Sequence, residues 1–130
     1  MDNFKLGKNY KLCSKTLIEE LFKSGITVKS YPLIAIIKPV HFESNIPFKI
    51  VFSAPKRTFK KAVERNRIKR ICKEAVRKNK SILETYLIEN KIQLAVFLVY
   101  SSKDELTNVQ LEKKTVKLFN AITKTIHDTI

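Results

Sequence analysis

The chain has 130 residues, enough for one domain with its own core and no need of disulfides or a metal to hold it. Apolar residues make up 44% of it, with two glycines and four prolines, which excludes a disordered basic tail. A net charge of +14 and a pI of about 9.9 call for a polyanionic partner, either nucleic acid or an anionic membrane surface.

Residues 1–13 are basic and irregular, with Lys5, Lys8 and Lys11 set around Phe4 and Tyr10, and are expected to form a flexible basic arm. Met1-Asp2-Asn3-Phe4 does not open a signal peptide, and no apolar run approaches the ~18 residues of a membrane span. Cys13 and Cys72 read as buried thiols and suit a reducing cytoplasm, where the protein is expected to reside. A short helix follows. Thr16 and Glu19 have capping-box spacing, Leu17, Ile18, Leu21 and Phe22 share one side, and Gly25 ends it. Tyr31–Val40 reads as a strand and His41–Pro47 as a turn. Phe48–Ala54 reads as a second strand, with Phe48, Ile50 and Phe52 alternating against Lys49, Val51 and Ser53.

Lys56–Lys80 holds twelve of the 26 basic residues and only two acids, Glu64 and Glu74. On a helix, Ile68, Ile71, Cys72 and Ala75 form one apolar stripe, the face that packs on a core. Arg65, Asn66, Lys69, Arg70, Lys73 and Arg77 fill the opposite arc, with Arg67 at its edge. Thr58 is expected as the N-cap of a helix of roughly 20 residues. Like charges four apart, Arg65–Lys69–Lys73–Arg77, cost a few tenths of a kcal/mol per pair in an isolated helix. A solvated face would carry mixed signs, so a one-signed arc points to a bound polyanion. Lys56, Arg57, Lys60 and Lys61, just ahead of the arc, extend the footprint.

Ser81–Asn90 reads as a short helical bridge, and Lys91–Tyr100 as a strand apolar on both sides, hence central and helix-covered. Ser101–Thr107 is a loop. Thr107 and Gln110 form a capping box for a last helix whose inner face is Leu111, Thr115, Leu118, Phe119, Ile122 and Ile126. The elements describe one small α+β domain over 1–130, a sheet with helices mainly on one side.

The inventory does not favour catalysis by side chains. His41 and His127 stand apart from any Cys, Asp or Glu at triad or ligand spacing, and the carboxylates are scattered. With Gly7 and Gly25 as the only glycines there is no phosphate-cradling loop. No catalytic, metal-ligating or small-molecule-binding residue is expected. RNA binding fits better: Arg and Lys for phosphates, Asn66 as both donor and acceptor, and Phe4, Phe22 and Tyr31 as candidate stacking surfaces, with core packing the stronger expectation for each.

Ala62-Val63-Glu64-Arg65-Asn66-Arg67-Ile68-Lys69-Arg70 resembles the A-V-x-R-N-R-x-K-R helix of the bacterial ribonuclease P protein component. The likeness runs from Leu21-Phe22-Lys23-Ser24-Gly25 to the last helix. It implies an α-β-β-β-α-β-α two-layer sandwich with a left-handed βαβ crossover, ribosomal protein S5 domain 2-like. It also implies an auxiliary subunit of an endoribonuclease. A catalytic RNA with bound Mg²⁺ removes the 5′ leader of precursor tRNA, and the protein binds that RNA and the leader without holding the metal itself. By position, the RNA-contacting set is Arg65, Asn66, Arg67, Lys69, Arg70 and Lys73, and the leader cleft involves Ile18, Phe22 and Tyr31. The chain departs from the family pattern at three places: Lys60 replaces a common glycine, Ile18 one of two aromatics, and Lys73 an arginine. Composition alone would equally suit a ribosomal or other structural RNA-binding protein. An anionic-membrane binder would need bulkier apolar residues than Ile68, Ile71, Cys72 and Ala75.

Overall fold

The computed structural model describes residues 10–12 and 14–129. Its elements are α1 (Lys15–Ser24), β1 (Ile26–Ser30), β2 (Leu33–Val40), β3 (Phe48–Ser53), α2 (Ala62–Glu89), β4 (Gln93–Tyr100) and α3 (Asn108–Thr129). This is the α-β-β-β-α-β-α order that the family resemblance implies. The residue pattern alone reveals only two strands before α2. It misses β1, five residues packed directly behind a helix-ending glycine.

The cap of α1 is Ser14, whose hydroxyl accepts from the Leu17 amide at 3.2 Å. Thr16 falls inside the first turn, so the expected box with Glu19 does not form. Gly25 does end the helix, its N–H donating to Leu21 O at 2.9 Å, with an ordinary φ of −73°. Glycine is required there for space. A Cβ would lie 2.4 Å from Leu21 O and 2.6 Å from Ile36 Cγ2.

The sheet order is β1-β2-β4-β3, with β4 antiparallel to β2 and parallel to β3. β1 and β2 form a hairpin, Ile26 opposite Ile37 and Ser30 opposite Leu33, closed by Tyr31 and Pro32 across a cis peptide. β4 is central, as its two-sided apolar pattern predicts. Leu94, Val96, Leu98 and Tyr100 join the main core under α2 and α3. Ala95 and Phe97 face a second cluster with Leu12, Leu21 and the half-buried Leu17 and Ile18 of α1.

α2 is one helix of 28 residues, about 42 Å at 1.5 Å per residue, and it absorbs the expected bridge at 81–90. Thr58 is not its cap. Thr58 and Phe59 both donate to Pro55 O, and Phe59 is buried against the Tyr100 ring, so the chain turns into the core before the helix starts. Lys61 occupies the cap position without a side-chain bond. Along α2 the buried positions shift from Ile68, Cys72 and Ala75 to Val76, Lys80, Leu83 and Leu87. At 100° per residue that is a rotation of roughly 80°, which hides the continuity from a single-stripe reading. In α3 the capping box is reciprocal, Gln110 N to Thr107 Oγ1 at 3.2 Å and Thr107 N to Gln110 Oε1 at 3.0 Å. All six expected inner-face residues of α3 are buried.

The end of the expected flexible arm is docked. Leu12 N donates to Ile50 O at 3.0 Å, Lys11 bridges Ile50 in parallel, and Leu12 is buried. Tyr10 packs on Phe48 at 5.2 Å and donates to Glu84 Oε2 at 2.7 Å. The segment covers the outer edge of β3, which would otherwise offer unpaired amides to another chain. Phe4, Lys5, Lys8 and Cys13 lie outside the described residues.

Gly25→Ala should destabilise the fold by about 1–3 kcal/mol, the range for forcing a methyl group into filled space. A urea melt of the purified variant measures it. An unchanged midpoint would show that α1 shifts freely against β2.

Candidate nucleic-acid interface

The main-core residues of α2 fix one side of the helix to the sheet, and its other side carries the charge. Asn66, Lys69, Arg70 and Lys73 are exposed there, and Lys56, Arg57, Lys60 and Lys61 are exposed on the lead-in. Among the described residues no carboxylate pairs with Lys69, Arg70 or Lys73. Their charge faces solvent in one direction.

Two expected contact residues are placed differently. Arg65 lies on the flank of the buried stripe, about 60° from Ile68 on the helical wheel, and is only half-exposed. Its Nη1 donates to Phe59 O and Lys60 O, both at 2.9 Å, and so ties the lead-in to the first turn of α2. Arg67 bonds through Nε to Glu105 Oε1 at 2.9 Å. Glu105 is carried by the 101–107 loop. There the Tyr100 hydroxyl donates to Asp104 O at 2.5 Å and accepts from Leu106 N at 3.0 Å. Burial raises that phenol's pKa above its ordinary value, which keeps the hydroxyl proton in place as a donor. Arg77 is paired with Glu74, and Lys80 is buried at 7% exposure, over the Tyr10 ring and 3.9 Å from Glu84. Neither belongs to the open face.

The opposite side of the sheet is apolar and partly open. Phe22 is 60% exposed and meets Phe97 edge-on, with ring centroids 4.9 Å apart. Ile18 is half-buried in the same cluster, beside Ile36, Val51 and Phe97. Tyr31 is 68% exposed but sits on the β1–β2 turn, five residues from Ile36 and so about 16 Å along the strand. The structure therefore brings Ile18 and Phe22 together, adds Phe97, and leaves Tyr31 at the sheet's end. Phe97 was missed by sequence reasoning. Its signal was an aromatic on the second apolar side of β4, away from α2.

His41 and His127 are both exposed. Among the described residues no three His, Cys, Asp or Glu side chains gather as a metal site. Burial pushes the Cys72 thiol up to about 12, so it is protonated at neutral pH and a poor nucleophile. No helix among the described residues is long and apolar enough to cross a membrane.

Fold and charge together define the class, a small basic α+β protein with a one-signed cationic helix face. The Ribonuclease P family profile matches residues 6–123. The chain is 31% identical over 116 residues to the ribonuclease P protein component of Porphyromonas gingivalis strain W83, covering 88% of this chain and 82% of that one. It is 38% identical to the Chlorobaculum tepidum component over 72 residues, 53% of this chain and 47% of that one. Two solved structures share the fold. The Staphylococcus aureus RNase P protein has a TM-score of 0.66 at 18% identity, covering 85% of this chain and 93% of that one. The Thermotoga maritima RNase P protein has 0.67 at 15%, covering 84% and 94%. The chain belongs to the ribonuclease P protein family.

Arg65 and Lys69 should separate under the same substitution. Arg65→Gln is expected to lose about 1–2 kcal/mol of stability, because two carbonyl bonds go with it. Lys69→Gln should leave the melt unchanged and lower the salt slope of RNA binding by about 0.7–0.9, one phosphate contact. A stability loss at Lys69 and none at Arg65 would reverse the assignment.

Proposed function

We propose that the chain serves as the auxiliary subunit of ribonuclease P, a hydrolytic endoribonuclease that matures the 5′ end of tRNA. The exposed face of α2, with Asn66, Arg67, Lys69, Arg70 and Lys73, binds the catalytic RNA. Lys56, Arg57, Lys60 and Lys61 extend that contact, and Arg65 supports it from behind. The open apolar face around Phe22, Phe97 and Ile18 holds the single-stranded leader of precursor tRNA, with Tyr31 at its far end. Mg²⁺ is held by the RNA, where it supplies the charge stabilisation that phosphodiester cleavage needs. The whole of 1–130 acts as one RNA-binding domain in the cytoplasm.

One observation carries this reading, the separation of chemistries across the sheet. Phosphate binding needs rigid cations, and single-stranded bases need an exposed ring. Here the cations lie on α2 while Phe22 projects beside Phe97 from the other face. Membership in the family favours this over a ribosomal or other structural RNA-binding role.

Phe22→Ala tests the leader site. Stacking is worth ~1–3 kcal/mol per base, so precursor tRNA with a leader of several nucleotides should bind the reconstituted complex about tenfold more weakly. Mature tRNA, which lacks the leader, should bind as before. Since Phe22 is largely exposed, its loss should leave folding intact, and a thermal melt checks that. Equal weakening of both tRNAs would place the leader elsewhere.

In the same assay His41→Ala and His127→Ala should leave cleavage within about twofold, below the 10²–10⁴ typical of a general acid or base. Cleavage by the protein without RNA, lost in either variant, would overturn the auxiliary role.

A further inference from the structure

α3 carries a second basic ridge that the proposed interface does not use. Lys113, Lys117 and Lys124 are all exposed and follow i, i+4, i+11 spacing, with Asn120 between them at i+7. At 100° per residue they cluster diametrically opposite the buried stripe of Leu111, Leu118 and Ile122. The three lysines span about 16 Å of helix. No acid interrupts the ridge. Glu112 lies on the flank toward α2 and pairs with Lys78 at 3.8 Å, and Asp128, one turn beyond Lys124 on the same arc, bounds the ridge at its C-terminal end. A merely solvated helix face gains from opposite charges at i, i+4, whereas Lys113 and Lys117 are like charges at that spacing.

α2 and α3 pack side by side on the same face of the sheet, so their outer surfaces are continuous. Between them runs a shallow crevice lined by Ile71, Glu74, Lys78, Asn108 and Glu112. Its charges are compensated within the protein, Glu74 by Arg77 and Glu112 by Lys78. The helical layer thus shows a cationic ridge on α2, a neutral crevice, and a cationic ridge on α3.

The ridge on α3 has lysines and an amide but no aromatic side chain, and so offers no surface on which an unpaired base could stack. Double-stranded RNA is bound through shape and backbone, with phosphate contacts on both sides of a groove. We infer that Lys113, Lys117 and Lys124, with Asn120, form a second RNA-binding ridge that takes the phosphate backbone of a double-stranded RNA segment. It extends the α2 face into a two-ridge platform for folded RNA. The inference rests on the proposed RNA contact of α2, but its test needs neither catalytic RNA nor tRNA.

The probes are a plain RNA duplex of about 16 base pairs and a single strand of equal length. Binding to the full chain is measured across a salt series. Combined Lys113→Glu, Lys117→Glu and Lys124→Glu should weaken duplex binding at least about tenfold and flatten its salt slope by about 2–3. Single-strand binding should change less than about twofold. A control with the same charge change elsewhere, Lys15→Glu, Lys29→Glu and Lys91→Glu, should lower duplex affinity far less. Replacing the three ridge lysines by arginine should retain binding, and a thermal melt should show every variant folded. Equal effects of ridge and control variants, or equal loss for both probes, would reduce the ridge to general charge and overturn the inference. So would an unchanged duplex slope. Loss of binding to phosphatidylserine–phosphatidylcholine vesicles with duplex binding intact would assign the ridge to a membrane instead.

Discussion

The cationic face of α2 depends on the seating of that helix against the sheet. A segment with twelve bases and two acids repels itself and gains nothing from being helical in isolation. Ile68, Cys72, Ala75, Val76, Leu83 and Leu87 supply the missing stability by burying their side chains against the sheet and α3. The isoleucine, valine and leucines among them each contribute about 1.5–3 kcal/mol when withdrawn from water, far more than the few tenths lost per like-charged pair. The core therefore wins, and the backbone that carries the charges is fixed with their side chains outward. A helix seated in this way would lose little backbone freedom on meeting a polyanion.

The start of α2 shows the same hierarchy on a smaller scale. Phe59 is drawn into the core beside Tyr100 by a turn closed on Pro55 O, and with Lys61 extended the helix starts only at Ala62. Arg65 then secures the carbonyls this leaves at 59 and 60. Tyr100 organises the neighbouring loop, so that Glu105 reaches Arg67. That exposed pair is worth about 0–1 kcal/mol, little enough for a phosphate to displace the carboxylate. Glu105 orients Arg67 without locking it away.

Where pattern and packing coincide, the sequence was readable to the residue. All six inner positions of α3, its Thr107–Gln110 box, and the central place of β4 follow from periodicity because each faces one uniform environment. Most of the misses depend on tertiary contact. β1 is a five-residue strand whose identity comes from pairing with β2, whereas the cap of α1 is local, with Ser14 two residues ahead of Thr16 taking the Leu17 amide. α2 looked like two helices because its buried face rotates where contacts pass from Ala75 to Val76. In the site, the exposure of Asn66, Lys69, Arg70 and Lys73 was legible from the wheel. The flank position of Arg65 also follows from the wheel, about 60° from Ile68, but its bonds to the 59 and 60 carbonyls and the support of Phe22 by Phe97 depend on the path of the lead-in and on the fold.

The sheet is also a partition. Its two faces alternate residue by residue along β4, so one strand builds a helix-covered core with Leu94, Val96 and Leu98 and supports the open apolar face with Ala95 and Phe97. Because both surfaces hang on the same strand, their relative position is set by backbone geometry and not by flexible loops. The docked N-terminal segment reinforces this. Leu12 enters the cluster under α1 while Tyr10 bonds Glu84 on α2, so the chain clasps both layers around the edge of β3. Burial, followed by the bond to Glu84, raises the Tyr10 pKa, so the phenol stays protonated and keeps donating well beyond neutral pH. If α2 meets a folded RNA and the opposite face a single strand, as proposed, the offset between the two is fixed by the sheet and its helices.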